Sequence, residues 1–241
     1  LNARFEELDW RQTRLGDISL RRRWDPTYKE EVYEVKLGEE FLMSSLFTVA
    51  EIELAHLALD ELPQERIDVI VGGLGLGYTA LTVLESPKIN SMLVVEALGE
   101  VIEWHQQGLI PAGMSLTADP RCQYIHGDFF ALAASANGFD PEHPGRRFHA
   151  IIVDIDHSPR HLLHPNHSPF YEPEGMQALA GHLHEGGVFA LWSNDPPDED
   201  YLARLGHVFE NVQAHVISFP NRLQGRNATN TVYTGINGAF R

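Results

Sequence analysis

Apolar residues fall in two different rhythms along the chain. Over residues 15–45 they alternate with polar ones in short stretches, DISLRRR, EEVYEVKLG and EFLMSS, separated by turn formers at Asp25-Pro26 and Gly38. That pattern predicts a small sheet of short strands. The stretch LFTVAEIELAHLALDE, with Leu62 close behind, then places apolar groups at helical spacing, with Thr48 as the N-cap.

From residue 67 the rhythm changes. The runs IDVIV, SMLVVE, CQYIH, HAIIVD and GVFALWS are apolar almost throughout. Strands of this kind are buried on both faces, which predicts a parallel sheet with helices on each side. Helical segments are predicted at 78–85, 99–107, 129–136, 174–184 and 198–209. Two last runs, NVQAHVISF and NTVYTGI, are joined by a segment with Pro220 and Gly225 that is too short for a crossover helix. They should pair antiparallel. The fold class expected is α/β: a doubly wound, mostly parallel seven-stranded sheet ending in an antiparallel hairpin, with a small N-terminal β-domain. Residues 1–46 would form the small domain and 47–241 the Rossmann-like one.

Composition narrows the function classes. The chain has 18 Lys and Arg against 34 Asp and Glu, a formal charge of −16. Nucleic-acid binders neutralise phosphates with basic residues, so a nucleic-acid partner is not expected. Arg21, Arg22 and Arg23 are the one basic cluster. An acidic field favours a cationic small substrate, although acidity also serves solubility alone. No apolar run approaches the roughly 20 residues of a membrane span, and the start lacks a signal-peptide pattern. A soluble, cytoplasmic protein without a membrane partner is expected. The single cysteine, Cys122, excludes an intramolecular disulfide and reads as a structural thiol.

The chemistry gathers where strands end. The first parallel strand runs into Gly73, Gly75 and Gly77, and a helix follows. Such a loop lets a ligand approach the helix amides. Tyr78 stands where a dinucleotide fingerprint needs its third glycine, which disfavours a nicotinamide oxidoreductase. Glu96 ends the second strand and can accept both hydroxyls of a ribose. Asp128, ahead of Phe129, ends the third, where it can accept from a base or cap a helix. Asp154 and Asp156 follow the fourth strand and can orient or deprotonate a nucleophile. His157, His161, His164 and His167 lie in one proline-rich loop. It reads as a lid rather than a metal site. The NDPP at 194–197 follows the fifth strand and reads as a turn.

In order, GGLGLG at 72–77, Pro87, Glu96 in EALGEVIEW, HGDFF at 126–130, FHAIIVDIDHSP at 148–159, Phe170-Tyr171 and HLHEGGVF at 182–189 resemble the spermidine synthase (polyamine aminopropyltransferase) family. The resemblance runs from about residue 30 to the C-terminus. Its members are similar to class I S-adenosylmethionine-dependent methyltransferases with a small β-domain. The resemblance implies a cofactor site of Gly73, Gly75, Leu76, Gly77, Glu96, Asp128 and Phe129. The glycine loop would wrap the methionine-like part, Glu96 would hold ribose and Asp128 adenine. Asp154 and Asp156 would be catalytic, Asp154 at the attacking amine, and no metal is implied. A homodimer is implied by resemblance alone.

Departures from the family lie on the acceptor side. Leu76 stands where the family has the Asp that binds the aminopropyl ammonium. The family's Asp-Ser-Ser-Asp-Pro is one residue longer here, Asp154 to Pro159, and its Tyr-Gln pair reads Val49-Ala50. Glu174 and Gly175 replace expected tyrosines. The leading expectation is a transferase using an adenosyl sulfonium donor on a small acceptor, such as a polyamine. Methyl transfer from S-adenosylmethionine, leaving S-adenosylhomocysteine, ranks above aminopropyl transfer from decarboxylated S-adenosylmethionine, leaving 5′-methylthioadenosine. A non-catalytic nucleoside-binding homologue is the other alternative.

Overall fold

A computed structural model describes residues 5–13 and 16–238. Four antiparallel strands open the chain in the order β1-β2-β3-β4: β1 (Phe5–Thr13), β2 (Gly16–Asp25), β3 (Glu30–Leu37) and β4 (Glu40–Ser44). Helix α1 (Val49–Asp60) leads from them into the parallel sheet. There β5 (Ile67–Gly72), α2 (Tyr78–Glu85), β6 (Ile89–Glu96), α3 (Gly99–Gln106), α4 (Gly113–Ala118) and β7 (Cys122–His126) build one half. The other half is α5 (Phe129–Ala134), β8 (Phe148–Val153), a 3-10 turn at Pro165–Tyr171, α6 (Pro173–Ala180), β9 (Leu183–Ser193), α7 (Glu199–Leu205), β10 (Glu210–Asn221) and β11 (Arg226–Ile236).

The seven strands lie in the order β10-β11-β9-β8-β5-β6-β7. Strands β5 to β9 are parallel, and β11 runs antiparallel to both of its neighbours. This is the doubly wound sheet with a terminal hairpin that the apolar runs predict. Successive residues of those runs enter opposite layers. Val69, Val71, Ala150 and Ile152 face the layer of α1 to α4, whereas Ile70, Ile151 and Val153 face that of α5 to α7. Each of these side chains is 0% exposed. Burial of a Val or Ile contributes roughly 1.5–3 kcal/mol, so a run apolar on both faces settles its place in mid-sheet.

The order reverses between β5 and β8, so a crevice opens beyond their carboxyl ends. The small sheet closes one side of it. The Trp104 indole N–H donates to Asp9 Oδ2 over 2.6 Å, and Arg11 pairs with Glu103. Met43 of β4 lies over Gly75. Arg21, Arg22 and Arg23 are each within ion-pair distance of acids on their own sheet, Glu7, Glu6 and Glu34 among them.

Several element bounds differ from the sequence reading. Helix α6 ends at Ala180 rather than 184, because β9 begins at Leu183. Helix α7 is shorter than 198–209 because Gly206 closes it and β10 begins at Glu210. Thr48 precedes α1, but its side chain makes no capping hydrogen bond. Among the described residues, no helix is long and apolar enough to cross a membrane.

Candidate active site

The glycine loop takes a shape that calls for glycine. Gly73, Gly75 and Gly77 have φ of 91°, 50° and 89°, a region that disfavours any residue with a Cβ. A side chain on Gly73 would run into the Asp154 carbonyl oxygen. At Gly77 it would meet the His105 ring and Leu116 within 2.8 Å. The loop therefore bends tightly around β8 and leaves its open side to the crevice.

A cavity of about 1300 Å³ occupies that crevice, and Gly73, Gly75, Glu96, Asp128, Phe129 and Asp154 line it. The structure thus brings six of the nine sequence-predicted residues to one space. The remaining three, Leu76, Gly77 and Asp156, are not among its lining residues. Leu76 is 5% exposed and belongs to the core beneath the loop. Phe129 adds a wall but is itself packed on Gly72, Phe139 and Phe170.

Glu96 holds the loop as well as facing the cavity. Its Oε2 accepts from Leu74 N over 3.0 Å and its Oε1 from Leu98 N over 2.9 Å. Burial pushes its carboxyl up, and these backbone donors pull it back. Asp128 is the N-cap of α5, its Oδ1 accepting from Phe130 N and Ala131 N over 2.9 and 3.2 Å.

Asp154 accepts from the Thr79 hydroxyl over 3.0 Å. The same hydroxyl lies 3.5 Å from the Glu51 carbonyl oxygen, so it ties α1 to the end of β8. The carboxyls of Glu51 and Asp154 feel each other's charge. Burial raises both, and the charge of Asp154 raises Glu51 further. Two carboxylates in one desolvated place resist double ionisation, and a bound cation relieves them. Asp156 is turned away from this pair and is 2% exposed. It accepts from Leu163 N and the Tyr171 hydroxyl and holds the His167 ring.

Sequence reasoning missed Glu51 and His105. Glu51 reads as an ordinary acid in the first turn of a helix. His105, 0% exposed, places Nε2 2.8 Å from the Gly75 carbonyl oxygen and braces the glycine loop from below. Burial lowers its pKa to about 4, against the pull of that hydrogen bond. Cys122 is half-buried, and burial lifts its thiol to about 12, out of the range of a nucleophile. Of the loop histidines, His157 pairs with Glu40 and His161 with Asp195. Among the described residues, no group of three or more His, Cys, Asp or Glu is arranged to hold a metal ion. Asn194 and Asp195 of NDPP join the loop at His157 to β11 rather than line the cavity.

The fold is that of the spermidine synthases. The chain superposes with a TM-score of 0.70 on a spermidine synthase crystallised with the transition-state analogue AdoDATO, at 19% identity, over 96% of this chain and 72% of that one. The spermidine synthase of Thermotoga maritima gives 0.69 at 18% identity, over 96% and 72%. In sequence, the chain is similar to putrescine N-methyltransferase 3 of Nicotiana tabacum, 27% identical over 164 residues, 65% of this chain and 39% of that protein. It is similar to putrescine N-methyltransferase 2 of Nicotiana attenuata at 27% over 164 residues, 65% of this chain and 40% of that one. The matched region thus spans about four-tenths of these relatives. No protein-family model matches the chain.

Proposed function

We propose that this protein is an adenosyl-sulfonium-dependent transferase that methylates a small cationic amine, with S-adenosylmethionine as donor. The observation that carries the reading is the shared cavity: the glycine loop, Glu96 and Asp154 line one space, and Asp154 interacts with the Glu51 carboxyl. The residues fit such a donor. The left-handed glycines let the loop backbone at Gly73 and Gly75 line the cavity, since a Cβ there would strike Asp154 or Met43, and Glu96 offers a carboxylate for two ribose hydroxyls. Bound there, the donor supplies a carbon activated by a positively charged sulfur.

The protein's own part is positioning and proton handling. Asp154 holds the acceptor amine in line for attack and receives its proton, which a desolvated carboxylate does better than an exposed one. Attack there would exchange the donor's carbon–sulfur bond for a nitrogen–carbon bond, with the electron pair left on sulfur and the amine proton on Asp154. A cationic acceptor is favoured because its charge would let Glu51 ionise beside Asp154. Methyl transfer is preferred to aminopropyl transfer because Leu76 is apolar and buried in the glycine loop, where the latter calls for an acid. The sequence relatives, named as putrescine N-methyltransferases, point the same way. The same reading includes a cytoplasmic homodimer with no nucleic-acid or membrane partner.

Titration calorimetry with both donor forms, followed by methyl-label transfer to a panel of diamines, tests it. S-adenosylmethionine should bind and methylate at least one diamine. Tighter binding of the decarboxylated donor with aminopropyl product from putrescine would replace methyl by aminopropyl transfer. Binding without turnover across the panel would leave a non-catalytic homologue.

A further inference from the structure

Three groups of one loop converge on a single buried carboxylate. Leu163 N donates to Asp156 Oδ1 over 2.7 Å, and the Tyr171 hydroxyl donates to Oδ2 over 2.9 Å. His167 Nδ1 lies 2.8 Å from Oδ1 and 3.1 Å from Oδ2. A carboxylate in that position fixes the tautomer of a neutral imidazole: Nδ1 carries the proton and Nε2 keeps a lone pair. The ring cannot turn freely either. It stacks on Phe130 with centroids 3.9 Å apart and planes 22° apart. His167 lines the cavity, and its Nε2 has no protein partner among the described residues. In the neutral ring Nε2 is thus an acceptor on the side away from Asp156, at a residue that lines the cavity.

Its place in the fold says which part of a ligand it meets. Glu96 ends β6, and Asp128 with Phe130 follows β7, the next strand outward. A nucleoside with its ribose at Glu96 would extend its base toward β7, where Phe130 and His167 stand. The geometry points to His167 as a base-reading residue, its Nε2 accepting a hydrogen bond from the exocyclic amino group of adenine. Asp156 is then a positioning residue that acts through His167. This assignment rests on the adenosyl reading above and adds a specificity element to it. Hypoxanthine carries a carbonyl in place of that amino group, and its lone pairs would face the Nε2 lone pair. Leaving a buried acceptor opposite an acceptor costs affinity.

Calorimetry with 5′-methylthioadenosine and 5′-methylthioinosine tests the assignment. Wild type should favour the adenine compound by on the order of 10- to 100-fold. His167→Phe keeps a ring on Phe130 but loses the acceptor, so the preference should fall below about 3-fold. His167→Gln offers a carbonyl oxygen and should restore part of it. In histidine-¹⁵N-labelled wild type, an unprotonated ring nitrogen should shift with methylthioadenosine and not with methylthioinosine. That titration decides the matter alone if His167→Phe does not fold. A preference unchanged in His167→Phe, or no perturbed ring nitrogen, overturns the assignment and leaves the adenosyl reading standing. Turnover lost in His167→Phe with base preference intact would place His167 at the acceptor instead and overturn it too. A wild type that binds S-adenosylmethionine but neither nucleoside overturns the assignment alone, and one that binds none of the three removes the adenosyl reading with it.

Discussion

The Thr79 hydroxyl donates to Asp154 Oδ2 over 3.0 Å, and this contact counters the burial that raises the Asp154 carboxyl. Thr79→Val should therefore push that carboxyl higher still. A base must be ionised to accept a proton, so the acid limb of kcat/KM should move to higher pH in the variant. Lost turnover at pH 7 should recover by pH 9. Asp154→Asn should lose about 10²- to 10⁴-fold in kcat, the usual share of a general base. Its affinity for the donor should stay within about 3-fold, because the lost group acts on the amine. Equal loss of affinity and turnover would contradict the division of roles.

The Glu51–Asp154 pair makes the free protein sensitive to alkaline conditions. Both carboxyls are raised in the folded state, chiefly by burial. Between the ordinary carboxylate range and those raised values, the native chain holds protons that the unfolded chain has released. Stability accordingly falls as pH rises through that window. Glu51→Gln removes the pair's mutual repulsion. It should melt higher than wild type at pH 8 and differ little at pH 5. Thermal melts at the two pH values check this, and a diamine should raise the wild-type melting temperature at pH 8 more than that of Glu51→Gln.

His105 works in the opposite direction. Its folded pKa of about 4 lies below the ordinary 6.5, so the unfolded chain takes up a proton first as pH falls. Its contribution is fully present above about 6.5 and is lost on acidification toward 4. His105→Leu should flatten the stability curve over that interval in urea titrations. It should also cost about 1–3 kcal/mol at pH 7, because the Gly75 carbonyl loses its donor. Donor affinity should fall with it, since the glycine loop is no longer braced.

How much of this was legible in the sequence follows from where each signal lives. β5, β6 and β8 are apolar on both faces, and that property belongs to the strand itself. β1 has no fully buried residue, so FEELDWRQT carries no apolar rhythm to read. α4 spans six residues and is too short to show a period. Gly73, Glu96 and Asp154 were legible as cavity-lining candidates because a parallel sheet opens its crevice at strand ends. Glu51, His105 and the Asp156–His167 pair draw their roles from neighbours distant in sequence. His105, for example, meets Gly75 across 30 positions. No local pattern encodes such a meeting.

Glu96 poses the sharpest test, because it both anchors the glycine loop and faces the cavity. Removing the side chain would orphan Leu74 N and Leu98 N together, so loss of binding in Glu96→Ala could reflect a collapsed loop. Glu96→Gln separates the two effects. Its carbonyl oxygen can still accept from one of these amides, while its NH₂ group cannot accept from a ribose hydroxyl. The melting temperature should drop by only a few degrees, as for about 1 kcal/mol. Affinity for 5′-methylthioadenosine should fall at least 10-fold, and for free adenine much less. If adenine and the nucleoside lose affinity equally, Glu96 supports the loop and does not hold a ribose. Calorimetry on the one variant with the two ligands decides between them.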